Sequence, residues 1–348
     1  MKSCMRKIMT IGISLIVASC ILSACTKQPV KVSATNTAMG TVVQETIYVT
    51  EEKAGAKIIR EVQEELERLE KECLSWRMED SQVSKLNKGA GNQEGQAVSE
   101  ELYRYLEEIW QVSEKSRGAL DVTIGSVVRV WDLDTWATCD EIEQSGFAVP
   151  DREVLEEYLK NTGYAKVILK DGKVYMPEGM SLDLGAVGKG IACDRIGMIL
   201  KSGKDIKGAV ISVGGSVVTY GSKPDGSAWN VAIVHPREEG SYMGTLSLQG
   251  EWYVATSGDY ERYVEKDGKR YHHIMNPMNG YPSESGLCSV TILSKSGLIS
   301  DALSTACFVL GEEAGLELVK EMGAEALFVT TDLKIIMTEG MNKYFREK

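Results

Sequence analysis

From about residue 165 onward the chain breaks into short β-branched runs, and this texture constrains the fold more than any other feature. The runs fall at 165–170, 173–176, 208–213, 216–221, 229–234, 244–248, 252–255 and 289–294. Turn signals such as Asp171-Gly172, Pro224-Asp225-Gly226 and Asp267-Gly268 separate several of them. Helical periodicity intervenes only at 188–202 and 299–322, and strand patterns close the chain at 326–337. Ahead of 165 the order is reversed. Thr41 to Val49 reads as a strand, and Ile58, Val62, Leu66, Leu69 and Cys73 form the stripe of a helix over 53–73. A Gly- and Asn-rich loop at 87–95, a helix over 99–115 and a short amphipathic helix over 151–160 follow. Hairpins mixed with long helices, without regular strand–helix alternation, predict an α+β fold with mixed or antiparallel sheets and packed helices. At 348 residues and 43% hydrophobic, the chain has material for a large core.

The N-terminus reads as an address. Lys2, Arg6 and Lys7 precede an almost uninterrupted apolar stretch from Ile8 to Leu22, which ends in Leu22-Ser23-Ala24-Cys25. A basic end, a short apolar region and small residues at the cut describe a secretory signal over 1–24. The apolar run is short for a full membrane span. Cysteine directly after Leu-Ser-Ala resembles the bacterial lipobox, which predicts acylation of Cys25 and a lipid anchor on the extracytoplasmic face of the cell membrane. Residues 25–35 then read as the lipidated cysteine and a tether, and 36–348 as the folded domain.

Thirty-nine basic against fifty acidic residues give a net charge of −11, which disfavours nucleic acid as a partner. A small anionic ligand remains compatible, because a local pocket can oppose the global field. Of eight cysteines, five lie beyond Cys25, scattered and with no CxxC spacing. That pattern predicts neither a disulfide framework nor a zinc site. Cys193, Cys288 and Cys307 sit in apolar contexts and read as buried thiols.

Three segments carry chemistry. In 181–194 (SLDLGAVGKGIACD), three glycines within six positions precede a helical pattern, with Lys189 between the last two. Glycines let backbone amides approach an anion, a helix N-terminus favours it and the lysine adds charge. The same glycines equally suit a tight strand-to-helix turn. In 300–305, Asp301 and Thr305 are four apart and share a helical face. A carboxylate and a hydroxyl together suit a hard cation such as Mg2+, and they also fit a helix N-terminus with an acidic first turn. The third segment, 271–280, holds His272 and His273 beside Pro277 and Gly280, and suggests a constrained loop more than a metal site.

Taken in order, AMGT at 38–41, LSWRMEDSQVSKLN at 74–87, DVTIGSVVRVW at 121–131, the 181–194 segment, ISVGGSVVTYG at 211–221, ATSGDYERY at 255–263, HHIMNPMNGYP at 272–282 and SDALSTACFVLG at 300–311 resemble the ApbE family of flavin transferases. The resemblance spans about 36–340. It implies Mg2+-dependent transfer of the FMN half of FAD onto a Thr or Ser hydroxyl of an acceptor protein, releasing AMP. It further implies that Asp183 and Lys189 contact FAD and that Ala186, through its carbonyl, joins Asp301, Ser304 and Thr305 at the metal. Met39, the Ala119-Leu120-Asp121 turn and Ile274 match flavin-nucleotide contacts.

Two positions depart from the family pattern. Ser75-Trp76-Arg77 stands where many members have Ser-Thr-Tyr, so either Trp76 or Arg77 would lie on the isoalloxazine. Asn276 replaces the aspartate that follows the histidines. For catalysis, Lys189 is expected near the developing charge, and His273 or the metal-linked Asp301 takes the hydroxyl proton. Rival activities on the same residues are an FAD pyrophosphatase giving FMN and AMP, and a non-catalytic flavin-binding lipoprotein.

Overall fold

The computed structural model describes residues 28–139 and 146–348. The signal segment 1–24 and Cys25 lie outside the described residues. The centre of the fold is an eight-stranded sheet whose spatial order repeats the chain order: β1 (Val30–Ala38), β2 (Thr41–Val49), β3 (Ile206–Val213), β4 (Ser216–Gly221), β5 (Trp252–Gly258), β6 (Leu287–Ser294), β7 (Glu325–Thr330) and β8 (Ile335–Met337). Every neighbouring pair is antiparallel. The helices α1 (Glu52–Arg68), α2 (Glu100–Lys115), α3 (Gly188–Ser202), α4 (Gly297–Leu310) and α5 (Glu312–Glu321) are excursions from this meander.

Strand alternation decides what each face meets. Val43, Ile47, Ile211, Val213, Ala326 and Phe328 face the helices and pack against Val62, Leu66, Ile191, Ile196 and Leu303. On the other face Val254, Leu293, Leu327 and Val329 meet a small antiparallel sheet of Trp229–Val234, Tyr242–Leu248 and Phe345–Glu347 through Ile233, Leu246 and Phe345. Covered on both sides, β6 is buried at all of its positions. A satellite core joins Ile124, Val127, Trp131, Phe147 and Val264, and carries the hairpin Tyr263–Lys266/Lys269–His272 beside the main sheet. Cys193, Cys288 and Cys307 are buried. Among the described residues no helix is long and apolar enough to cross a membrane.

The predicted tether over 25–35 is corrected from Val30 onward. Val30–Ala38 is an edge strand registered with β2 along its whole length. Its outward Lys31, Ser33, Thr35 and Thr37 are exposed, and this polar face conceals the alternation with Val32 and Ala34. The single helix expected at 299–322 begins earlier, at Gly297, and breaks at Gly311, whose φ of 82° is left-handed. The α-helix expected over 53–73 ends at Arg68 and widens into a π-helical turn, Leu69–Leu74, which delivers Trp76 and Arg77 to the site.

Candidate active site

Two adjoining chambers, of about 830 Å³ and 140 Å³, open where the β1–β2 turn, the β3–β4 turn, the start of α3 and the end of β5 converge. They share Arg77, Asp134, Asp183, Lys189, Glu261 and Arg262. Met39 and Trp76 line the larger chamber; Ala119, Leu120, Asp121, Ala186, His273, Ile274, Asp301 and Thr305 line the smaller.

The glycine-rich segment is anchored before it reaches the chambers. Asn87 clamps Leu182 with both ends of its amide, at 2.9 and 2.7 Å, and the Asp183 N–H donates to the Val122 carbonyl at 2.8 Å. Gly125 is required there, since a Cβ would lie 2.7 Å from the Ser181 carbonyl oxygen. The Asp183 carboxylate accepts from the Gly185 N–H at 2.8 Å and from the Trp76 indole N–H at 2.9 Å, and burial holds its pKa above the usual range.

The start of α3 then touches α4 backbone to backbone. A Cβ on Gly190 would sit 2.2 Å from the Gly297 carbonyl oxygen, and one on Gly297 2.2 Å from that of Gly190. The contact brings the Gly190 N–H within 2.8 Å of Asp301 Oδ2, which accepts its hydrogen. Gly190 is the third residue of α3, so its N–H has no partner within the helix and Asp301 supplies one. Ala186 precedes the helix and lines the smaller chamber, and among the described residues no backbone N–H bonds its carbonyl oxygen. From α3, Asp194 accepts the N–H groups of Gly297 and Leu298, at 2.6 and 2.8 Å, and so caps α4 together with Ser296. Asp301 therefore lies in the second turn of α4, and the capping reading of this aspartate is excluded.

Asp301 is 4% exposed, and burial pushes its pKa up to about 6 against the pull of Lys189. Ser216 Oγ donates to its other oxygen at 3.4 Å. Thr305 Oγ1 lies 3.3 Å from Ser257 Oγ. Ser304, the third side chain expected at the metal, turns its hydroxyl into the wall. It is fully buried and lines neither chamber, and its hydroxyl is spent between Ser257 Oγ and the Asp301 carbonyl, at 2.8 Å each. Asp301, Thr305 and Ala186, which line the smaller chamber, carry a carboxylate, a hydroxyl and a backbone carbonyl, all hard oxygen donors. Among the described residues no cluster of three or more His, Cys, Asp or Glu could hold a metal ion. The donor set fits a hard cation that keeps water or ligand oxygens in its remaining positions.

Met39 and Gly40 form a two-residue hairpin turn between the paired Ala38 and Thr41, with φ of 52° and 69°. A methionine in the left-handed region costs about 1 kcal/mol or more. The Met39 N–H is held by Glu70 Oε2 at 3.0 Å, so the π-helical turn supports the strained tip that points into the cleft. The Asp121 carboxylate is bound within the protein. Its oxygens are taken by the N–H and hydroxyl of Thr123, at 2.8 and 2.6 Å, and by the Tyr164 N–H at 2.9 Å. It shapes the turn, and Ala119 and Leu120 present that turn to the chamber.

The two histidines do not share a site. His272 Nε2 lies 3.0 Å from the Ser283 carbonyl oxygen, and the ring meets Phe308 edge-on. His273 Nδ1 is 3.3 Å from the Arg262 carbonyl oxygen and donates to it, which leaves Nε2 as an acceptor. Burial, with Arg262 and Lys189 nearby, holds the His273 pKa well below the ordinary value, so the ring is neutral.

The model of the ApbE family matches residues 39–328. The chain belongs to the ApbE family. It is 34% identical over 288 residues to the FAD:protein FMN transferase of Treponema pallidum, covering 77% of this chain and 76% of that one. With the enzyme of the same name from Vibrio cholerae it shares 30% identity over 93% of both chains. Among solved structures, an ApbE protein from Thermotoga maritima superimposes with a TM-score of 0.79 at 33% identity, covering 91% of this chain and all of that one. The flavinyl transferase ApbE of Pseudomonas stutzeri gives 0.75 at 27% identity, over 91% and 97% of the two chains. The expected α+β class is the ApbE fold.

Within this ApbE site, the two candidates for an isoalloxazine contact lie on each other. The Arg77 guanidinium covers the Trp76 ring at 4.2 Å from its centroid, and Arg129 approaches it at 5.4 Å. Arg77 and Arg262 both pair with Asp134, which bridges them at the junction of the chambers. Asn276 accepts the Met278 N–H at 2.9 Å and fixes the turn after the histidines. Asp134, Ser257, Glu261 and Arg262 were not foreseen as site residues. Glu261 and Arg262 follow the buried Asp259, which Arg237 grips with two bonds of 2.7 Å. Their only signal is membership of the ATSGDYERY segment.

Proposed function

We propose that this chain transfers the FMN half of FAD onto a Thr or Ser hydroxyl of an acceptor protein and releases AMP. The observation that carries the reading is the meeting of Asp301, Thr305 and Ala186 in the smaller chamber, with Lys189 lining both chambers. The acceptor oxygen forms a bond to the flavin-side phosphorus, the bond from that phosphorus to the bridging oxygen breaks, and AMP leaves with the electron pair. Asp301, Thr305 and the Ala186 carbonyl would hold Mg2+, which when bound supplies charge neutralisation at the pyrophosphate. Lys189 places an ammonium beside the same phosphates. His273, neutral and with Nε2 unprotonated, accepts the hydroxyl proton. Trp76, fixed by Asp183 and backed by Arg77, offers a flat surface to the isoalloxazine ring.

The reading is tested by incubating the protein with FAD, Mg2+ and a candidate acceptor domain, followed by denaturing electrophoresis. In-gel flavin fluorescence on the acceptor, lost when its Thr or Ser is replaced, is the expected result. FMN and AMP released with no labelled polypeptide would establish the pyrophosphatase instead.

A lipid anchor at Cys25 on the extracytoplasmic face is part of the proposal, and rests on the basic-apolar-LSAC order of the N-terminus. Cys25→Ala should move the protein from the membrane fraction to the soluble fraction or leave it unprocessed. Unchanged fractionation and mature mass would refute the anchor.

A further inference from the structure

We infer that the acceptor polypeptide docks as an added β-strand on the open edge of Trp229–Val234, which borders the larger chamber. The inference rests on the transfer reading above and names how its protein substrate is held.

Trp229–Val234 is the outermost strand of the small sheet and pairs on one side only, with Tyr242–Leu248. Two hydrogen bonds set the direction of its other polar groups. The Ser247 N–H donates to the Tyr344 carbonyl at 2.9 Å, away from Asn230, its register partner. The His235 N–H donates to Ser241 at 3.1 Å, toward the hairpin partner. Antiparallel alternation then turns the N–H and C=O groups of Asn230, Ala232 and Val234 outward. Among the described residues none of these outward groups has a hydrogen-bond partner.

The edge is also unguarded. Natural sheets blunt their edges with charge, proline or brevity. Lys31 sits on β1, β8 has three residues, and Phe345–Glu347 is short and carries Arg346 and Glu347. The sequence from Trp229 to Val234 contains no charged residue and no proline, and Val234 is 49% exposed. An edge of this length and composition is a template for a strand from another chain.

Its position selects the occupant. Val231, Ala232 and Val234 line the same chamber as Met39, Trp76 and Lys189. The Tyr48 ring meets Trp229 at 5.9 Å and marks the far end of the edge. Beyond the edge, β2 offers the uncharged, outward-facing Val42 and Gln44. An extended, uncharged acceptor segment laid beside Ala232 would carry a Thr or Ser hydroxyl toward Lys189 and Thr256, which both chambers share.

The test uses arrayed 15-residue peptides with one central Thr, incubated with the protein, FAD and Mg2+ and read by flavin fluorescence. Labelled peptides are then titrated in solution. Ala232→Pro removes an outward N–H and leaves the inward bonds of the strand, so the peptide concentration for half-maximal labelling should rise at least tenfold while the maximal rate is kept. Ala232→Thr retains the N–H and should stay within twofold of wild type. An unchanged half-maximal concentration in Ala232→Pro overturns the inference and leaves the transfer reading standing. Wild type that releases FMN and AMP yet labels no peptide overturns both. A dimer of this chain that dissociates in Ala232→Pro gives the edge to a second copy and overturns docking. If the proline variant does not fold, hydrogen exchange of the wild type decides: the Asn230 and Ala232 amides should gain protection on adding the Thr→Ala form of a labelled peptide, and no gain refutes the proposal.

Discussion

Asp301→Asn is expected to lower FMN transfer by on the order of 10²–10³-fold and to weaken Mg2+-dependent FAD binding, with the fold retained. The asparagine keeps a carbonyl oxygen for the Gly190 N–H, and its amide nitrogen can face Ser216 Oγ, so both contacts of the native carboxylate persist in shape. Only the negative charge is lost. Thr305→Ala should be milder, because a neutral hydroxyl contributes less than a carboxylate to a hard cation. The measurement is transfer rate against Mg2+ concentration, alongside FAD titrations with and without the metal. Equal rates and equal metal dependence in wild type and Asp301→Asn would reduce this side chain to a strut between α3 and α4.

A second large effect is expected far from the chambers. Glu45 is 3% exposed on the helix-facing side of β2, among Val43 and Ile47. Asn36 Nδ2 donates to its Oε2 at 2.9 Å, and among the described residues Oε1 has no partner. Burial, opposed by the Asn36 bond, raises its pKa from 4.5 to about 7. A raised carboxyl pKa means that the folded state resists ionisation. The contribution of Glu45 is therefore fully present below pH 4.5 and is lost as pH rises through about 7. The full shift corresponds to about 3 kcal/mol. Glu45→Gln should leave stability near the wild-type value at pH 5 and raise it by about 2–3 kcal/mol at pH 8. Urea unfolding at the two pH values, compared as variant minus wild type, cancels the other acids. A difference that does not change with pH would show that the Glu45 carboxyl ionises freely in the native state.

The elements with strong local signals were legible in the sequence. The helical pattern at 188–202 is α3 residue for residue, and the runs at 216–221 and 229–234 are strands with those bounds. The four-residue spacing that puts Asp301 and Thr305 on one face is a property of any α-helix, and both do line one chamber. Periodicity is local, so it survives without knowledge of the partner. β1 was missed because its polar outer face looks like a tether until β2 is set beside it.

The site itself depended on contacts that no local pattern encodes. Asp301 receives the Gly190 N–H across 111 positions of sequence, and that bond fixes the carboxylate against the start of α3. Trp76 reaches Asp183 across 107 positions, and Asp134 joins Arg77 to Arg262 across 57 and 128. By itself the sequence determined the elements with strong local periodicity, which of their faces are apolar, and through its ordered motifs the family. Only the tertiary structure decided that Asp194 rather than Asp301 caps α4, that Ser304 is spent inside the wall, and that the edge of Trp229–Val234 stands open. The physical reason is that side-chain periodicity specifies which face of an element is buried, whereas the partners of a carboxylate or an edge amide are set by how distant elements pack.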